Sequence, residues 1–156
     1  ELLDTTLDGL IAVREREGER LRALLLERCD KLLALVTEVR GRMPEVLAHI
    51  RSRIADRLAE VRAELDEGRL EQEMALLAQR LDVDEEMDRL ESHVVEVRKA
   101  LDSKGPVGRR LDFLMQELNR EANTLSSKSA DAAITRAAVE MKVLIEQMRE
   151  QVQNLE

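Results

Sequence analysis

Leu111-Asp-Phe-Leu-Met-Gln-Glu-Leu-Asn-Arg-Glu-Ala-Asn-Thr-Leu125 is the stretch that decides the fold. Turned at 100° per residue, it puts Leu111, Leu114, Met115, Leu118, Ala122 and Leu125 on one face, the pattern of a helix buried along one side. Asp112, Gln116, Asn119 and Asn123 line one flank of that face, and Glu117 and Glu121, four residues apart, line the other. Phe113, the only aromatic residue in the chain, points away from the apolar face together with Arg120. A helix over about 109–125 is predicted, and its neighbours read the same way.

Downstream, Ser126-Ser127-Lys128-Ser129 reads as a small polar loop. A last helix then runs from about Asp131, with Ile134, Ala138, Met141, Ile145, Met148, Val152 and Leu155 close to a strict heptad that could pair in coiled-coil fashion. Upstream, Lys104-Gly105-Pro106-Val107-Gly108 is the clearest loop. Before it, Met87, Leu90, Val94, Val97 and Leu101 recur at steps of three and four. Asp82 with Glu85 three residues later reads as a capping-box variant opening that helix. A short helix over about 69–81 precedes it, after a joint at Asp66-Glu67-Gly68.

The first 65 residues carry one long apolar stripe, from Leu3, Leu7 and Leu10/Ile11 through Leu21, Leu24/Leu25, Leu32, Leu35/Val36 and Val39. Pro44, after Gly41, predicts a kink or a break. The stripe resumes through Val46, Leu47, Ile50, Ile54, Leu58, Val61 and Leu65. Such a rod cannot bury its stripe on itself, so it needs another helix or another subunit. Two units result: a long helical arm over 1–65 and a C-terminal helical domain over 66–156.

Composition agrees. Among 156 residues there are two prolines, six glycines and no Trp or Tyr, while Leu, Ala, Glu and Arg, which lose least on entering a helix, dominate. The fold class is all-α: long, partly kinked helices forming helical hairpins or a bundle with coiled-coil-like packing. Cys29 is the single cysteine, so no internal disulfide or thiol pair for a metal can form, and its Leu-rich surroundings predict a packed, inert thiol. No apolar run reaches the roughly 18 residues needed to span a bilayer, which excludes a membrane partner on this reading and leaves the reducing cytoplasm as the expected compartment. The chain opens on Glu1 in helical pattern, which suggests a piece of a longer protein.

Net charge is −8, which argues against passive electrostatic binding of nucleic acid by the whole chain. The charge is uneven, though: between Lys104 and Lys142 seven basic residues face five acidic ones, an excess of two positive charges, leaving −10 elsewhere. Two features of this region exceed a plain amphipathic helix. Asn competes for its own backbone in helices, yet Asn119 and Asn123 stand mid-helix four apart; and a Phe opposite the apolar face implies that this side is covered. A helix packed on both sides accounts for them equally well. Glu117 and Glu121 could jointly hold a divalent cation, since carboxylate oxygens suit Mg²⁺ and Mn²⁺, or form a solvated face of ion pairs. Histidine is the side chain type whose charge changes near neutrality, so His93, with Arg89 and Glu96 as helical neighbours, could serve as a general acid or base, or be an ordinary surface histidine. Nothing resembles a phosphate-cradling loop, so no nucleotide cofactor is expected.

Gly108-Arg-Arg-Leu-Asp-Phe-Leu-Met-Gln-Glu-Leu-Asn-Arg-Glu-Ala-Asn-Thr-Leu125, then Ser127-Lys-Ser129 and Arg149-Glu-Gln-Val-Gln-Asn-Leu-Glu156, resemble the C-terminal domain of the bacterial YicC/YloC family. Arg16-Glu-Gly-Glu-Arg-Leu21, Asp66-Glu-Gly-Arg-Leu-Glu-Gln-Glu73 and Glu85-Glu-Met-Asp-Arg-Leu-Glu-Ser-His93 also fit. The resemblance implies a metal-dependent endoribonuclease acting on RNA in the bacterial cytoplasm, assembled as a homo-oligomer, a hexamer, whose N-terminal domain with its β-strands is absent here. Under it, Arg109, Arg110, Asn119, Arg120, Asn123 and Lys128 become candidates for holding RNA. Glu117 and Glu121, with Glu73 and Glu86 from neighbouring helices, become candidate ligands for Mn²⁺ or Mg²⁺. His93 is the candidate proton carrier, so the catalytic set is His93, Glu117 and Glu121. Ser126 departs from the family pattern, which has Gly there; a positive φ would strain Ser126 by about 1 kcal/mol. The rival readings are a non-catalytic oligomerisation scaffold and an RNA-binding adaptor.

Overall fold

The computed structural model describes residues 2–60 and 67–153. These form five helices: α1 (Leu2–Glu60), α2 (Glu67–Leu81), α3 (Asp84–Leu101), α4 (Gly108–Lys128) and α5 (Ala132–Gln153). Among the described residues there is no strand, so the fold is all-α. Val61, Leu65, Asp66 and Leu155, and the side chains of Leu3 and Leu58, lie outside the described residues.

Four of the helices close into a bundle. α3 packs on α1 and α4, and α5 packs on α4 and α1, giving the cyclic order α1–α3–α4–α5. Charged pairs between neighbours set the directions. Arg22 bonds Asp102, Arg98 bonds Asp30 and Arg40 bonds Asp88, so α3 runs antiparallel to α1. Arg28 to Gln147 and Arg42 to Asp131 make α5 antiparallel to α1 as well. The core comes from the apolar positions at steps of three and four: Leu25, Cys29, Leu32, Val36 and Val39 of α1; Met87, Leu90, Val94 and Val97 of α3; Leu111, Met115, Leu118, Ala122 and Leu125 of α4; and Ile134, Ala138, Met141, Ile145, Met148 and Val152 of α5. Each fully buried Leu or Met contributes roughly 1.5–3 kcal/mol over leaving it in water.

Three local expectations are corrected. Of the kink or break expected at Pro44, the break is ruled out, since α1 is helical on both sides of it. Proline costs the Arg40 carbonyl its partner, but Val39 and Val46 are buried on either side, and Arg40 and Arg42 are bonded to α3 and α5, so packing holds the helix across the defect. Ser126–Lys128 are the last turn of α4 rather than a loop, with the Ser127 hydroxyl donating to the Thr124 carbonyl at 2.9 Å. Ser126 is therefore helical and carries no positive-φ strain; the left-handed residue is Gly105, at φ 132°, in the predicted loop. Glu85 makes no capping box: Asp82 Oδ1 accepts the Asp84 N–H at 2.9 Å, and Glu85 pairs with Arg89.

α1, at 59 residues roughly 88 Å long, overhangs the bundle. From Thr5 to Arg20 every residue is exposed, including Leu7, Leu10, Ile11 and Val13. Beyond the core, Arg51 bonds Glu71 of α2, which packs on α1.

A candidate metal and RNA site along the seam of helices α3 and α4

The α3–α4 seam is where the acidic and basic residues of two amphipathic helices meet. Each helix buries its apolar face in the bundle, so the flanking positions of both emerge along one line. α4 runs antiparallel to α3, and charged contacts cross the seam along its length. At one end Lys128 Nζ donates to Glu86 Oε1 at 2.8 Å and to the Asp82 carbonyl at 3.0 Å. At the other, Arg110 donates to Glu96 Oε2 at 2.6 Å. Lys99 first, and then Arg110, holds the Glu96 carboxyl below its ordinary range.

Between these ends His93 of α3 meets Glu117 and Glu121 of α4. One donor atom from each of the three lies within 4.8 Å of the others. Glu121 is buried, with only 3 % of its surface exposed, while His93 and Glu117 are half-buried. Burying a carboxylate costs several kcal/mol unless it is paired, and what these two find is meagre. Glu121 accepts from Arg89 Nη1 at a long 3.4 Å, and Glu117 is 3.9 Å from Arg120, beyond hydrogen-bonding reach. Two carboxylates and an imidazole converging on one point, poorly served by their own chain, form a donor set suited to a divalent cation with oxygen preference.

Comparison with known proteins bears on what this seam belongs to. The family described as "Endoribonuclease YicC-like, C-terminal" matches residues 39–156. The chain belongs to the YicC-like endoribonuclease family. A protein of Haemophilus influenzae (strain ATCC 51907 / DSM 11121 / KW20 / Rd) named "Probable endoribonuclease YicC" is 55% identical over 153 residues, 98% of this chain and 53% of that protein. One of the same name from Clostridioides difficile (strain 630) is 37% identical over 155 residues, 96% of this chain and 53% of its own length. The chain thus spans about half the length of the curated relatives it matches.

The family motif accounts for much of α4, and the structure disperses its candidate residues. Arg110 and Lys128 line the α3 side of the helix, with the His93–Glu117–Glu121 group between them, while Arg120 is exposed on the outward face of α4. Arg109 is exposed at the start of α4, where with Gly108, Asp112, Val152 and Gln153 it lines an open cleft. Asn119, half-buried, and Asn123, exposed, occupy the opposite flank of the helix. Glu86 is outside the cluster; it is buried and engaged by Lys128, and its Oε2 is without a partner. Glu73 is exposed on α2, which packs on α1, and is likewise outside the cluster.

Two residues given no role by the sequence reading stand out, Arg89 within the site and Asp131 away from it. Arg89, one turn before His93 on α3, joins Glu85 to Glu121; its i−4 spacing from His93 was the available signal. Asp131 opens α5, accepting the Ala133 and Ile134 N–H groups at 2.9 and 3.0 Å and the Arg42 guanidinium at 2.8 Å. Arg42 foremost, then those N–H groups, pulls its carboxyl down to about 2. No helix among the described residues is long and apolar enough to cross a membrane.

Proposed function

We propose that this chain carries the catalytic seam of a metal-dependent endoribonuclease of the bacterial cytoplasm. The observation that carries the reading is the convergence of His93, Glu117 and Glu121 within 4.8 Å in a chain whose relatives are named probable endoribonucleases. On this reading Glu117 and Glu121 hold Mn²⁺ or Mg²⁺, and His93 takes and returns the proton. When bound, such an ion polarises a phosphate oxygen and lowers the pKa of a water beside it. Glu86 and Glu73 serve elsewhere: Glu86 is neutralised by Lys128 and anchors the end of α4.

RNA, the proposed substrate, is held through its backbone. Arg110 and Lys128 offer cations on the α3 side of α4, Arg120 on its outward face and Arg109 at its start; Asn119 and Asn123 would contact sugar or phosphate from the other flank. With one aromatic side chain in the chain there is no stacking platform for bases, so backbone contact and shape dominate recognition. A homo-oligomer, a hexamer on the family resemblance, belongs to the same proposal. Its support is the exposed apolar overhang of α1 at Leu7, Leu10 and Ile11. The division into an arm over 1–65 and a helical domain over 66–156 is organisational, since the arm's middle, Leu25 to Val46, is built into the domain's core.

The test is cleavage of end-labelled RNA by the chain and by the whole Haemophilus influenzae relative, with Mn²⁺ and with chelator. Metal-dependent cleavage is expected and should be lost in Glu117→Gln and Glu121→Gln. His93→Ala should retain Mn²⁺ binding while losing cleavage; a variant that loses both makes His93 a ligand instead. No metal-dependent cleavage by either protein leaves a scaffold or a non-cleaving RNA adaptor.

A further inference from the structure

The same seam contains a cation of its own. The Arg89 guanidinium spans two carboxylates: Nη2 donates to Glu85 Oε1 on its own helix, and Nη1 reaches Glu121 Oε1 across the seam at 3.4 Å. The two contacts are unequal in an informative way. Charge-assisted bonds to carboxylate normally close to about 2.7–2.9 Å, yet the close contact goes to Glu85, whose side chain is 70% exposed, and the stretched one to Glu121, whose side chain is 4% exposed. The buried carboxylate, which gains most from a cation, is thus served by the weaker arm.

Arg89 itself is half-exposed on the open side of the seam. Arg120, on the outward face of α4, is exposed as well. A guanidinium offers five donors in a planar fork that matches two phosphate oxygens at once. If a divalent ion takes Glu121, Arg89 gives up one long contact, keeps its tether to Glu85, and has one edge of the fork free beside the place where the scissile phosphate would lie.

We propose that Arg89 is an exchange residue of this site: it partly neutralises Glu121 until a divalent cation takes that carboxylate, and then contacts the phosphodiester of the bound RNA. The inference rests on the reading of His93, Glu117 and Glu121 as an ion site and adds to it a residue with two opposed roles. Removing Arg89 must therefore help one ligand and harm the other, a pattern that a general loss of structure does not produce.

The experiment compares the full chain with Arg89→Gln and Arg89→Lys, with circular dichroism confirming equal helix content. Mn²⁺ binding is read from the electron paramagnetic resonance of the free ion, and RNA binding from the anisotropy of a labelled single strand with Ca²⁺ replacing Mn²⁺. In Arg89→Gln, Mn²⁺ should bind about two- to fivefold more tightly and RNA about two- to fivefold more weakly, the size expected of a half-exposed ion pair. Arg89→Lys should bring Mn²⁺ affinity back towards wild type and restore RNA binding only in part, because it keeps the charge and loses the fork. Unchanged or weaker Mn²⁺ binding in Arg89→Gln, or unchanged RNA binding, overturns the inference. If wild-type Mn²⁺ binding is meanwhile abolished by Glu121→Gln, the ion site stands without Arg89. If Mn²⁺ binding survives Glu121→Gln, the ion site itself is refuted, and Arg89's exchange role falls with it.

Discussion

Glu121→Gln should make the chain more stable without metal and less stable with it. An oxygen of Glu117 and one of Glu121 lie within 4.8 Å. Two unit charges at that separation repel by roughly 3.5 kcal/mol at an effective dielectric of about 20. Glu117 keeps 27% of its side-chain surface in water, which screens the pair. Arg89 returns part of the remainder, but through a 3.4 Å contact from a half-exposed side chain, worth about 1 kcal/mol or less. A net penalty of about 1–2 kcal/mol is left in the metal-free chain. Glutamine removes the charge, keeps the shape and still offers Arg89 an acceptor, so in chelator the variant should melt about 2–8 °C higher for a chain of this size.

Manganese reverses the order. An ion at one hundred times its dissociation constant stabilises the wild type by about 2.7 kcal/mol, or roughly 5–11 °C, and the Glu121→Gln chain, lacking the charge, should lose most of that gain. The assay is thermal unfolding by circular dichroism at one fixed protein concentration, in chelator and across a Mn²⁺ titration. A variant that melts lower than wild type in chelator refutes the carboxylate-repulsion argument. A variant that gains as much from Mn²⁺ as wild type refutes Glu121 as a ligand.

Four further outcomes follow from three residues away from the cluster. Asp131→Ala removes a helix cap and the Arg42 partner together and should cost about 1–3 kcal/mol in urea unfolding. Because the Asp131 carboxyl titrates at about 2 when folded, against an ordinary 3.8, its stabilisation is complete above about pH 4 and is lost as pH falls through 2, so Asp131→Asn should flatten that acid limb of stability. Lys128→Met strands the buried Glu86 carboxylate, 7% exposed, and should cost about 3–5 kcal/mol, most of it recovered by adding Glu86→Met. Cys29 is fully buried, and burial pushes its thiol up to about 11, so a thiol-specific disulfide reagent at pH 8 should react only in denaturant.

The helices were legible because each repeats apolar residues at steps of three and four, and the same positions became the core. Local punctuation was less reliable. Pro44 and the Ser126-Ser127-Lys128 run carry residue types that discourage helix, and α1 and α4 continue through both. The reason is tertiary: buried Val39 and Val46 flank Pro44, and Leu125 with the Lys128–Glu86 bond fixes the last turn of α4. Propensity at single positions is worth about 1 kcal/mol for most residues and about 3 for proline, which several buried side chains outweigh. At Asp131 the cap bonds to Ala133 and Ile134 are local and readable from an Asp at the start of the last helix; its bond with Arg42, 89 residues away, has no local signal.

The site was more legible than a residue-by-residue reading makes it. An antiparallel helical hairpin pairs residues roughly equidistant from its turn, and both helices rise 1.5 Å per residue, so the turn position alone predicts the partners. Gly105, left-handed in the α3–α4 connection, is the natural centre. His93 stands twelve residues before it and Glu117 twelve after; Arg89 stands sixteen before and Glu121 sixteen after. Those four residues meet at the seam. Glu86 and Lys128, nineteen before and twenty-three after, are displaced by one helical turn and still within reach of each other. Glu73 lies outside this symmetry. It stands on α2, which ends at Leu81, before the hairpin begins at Asp84, and packs on α1 rather than on α4.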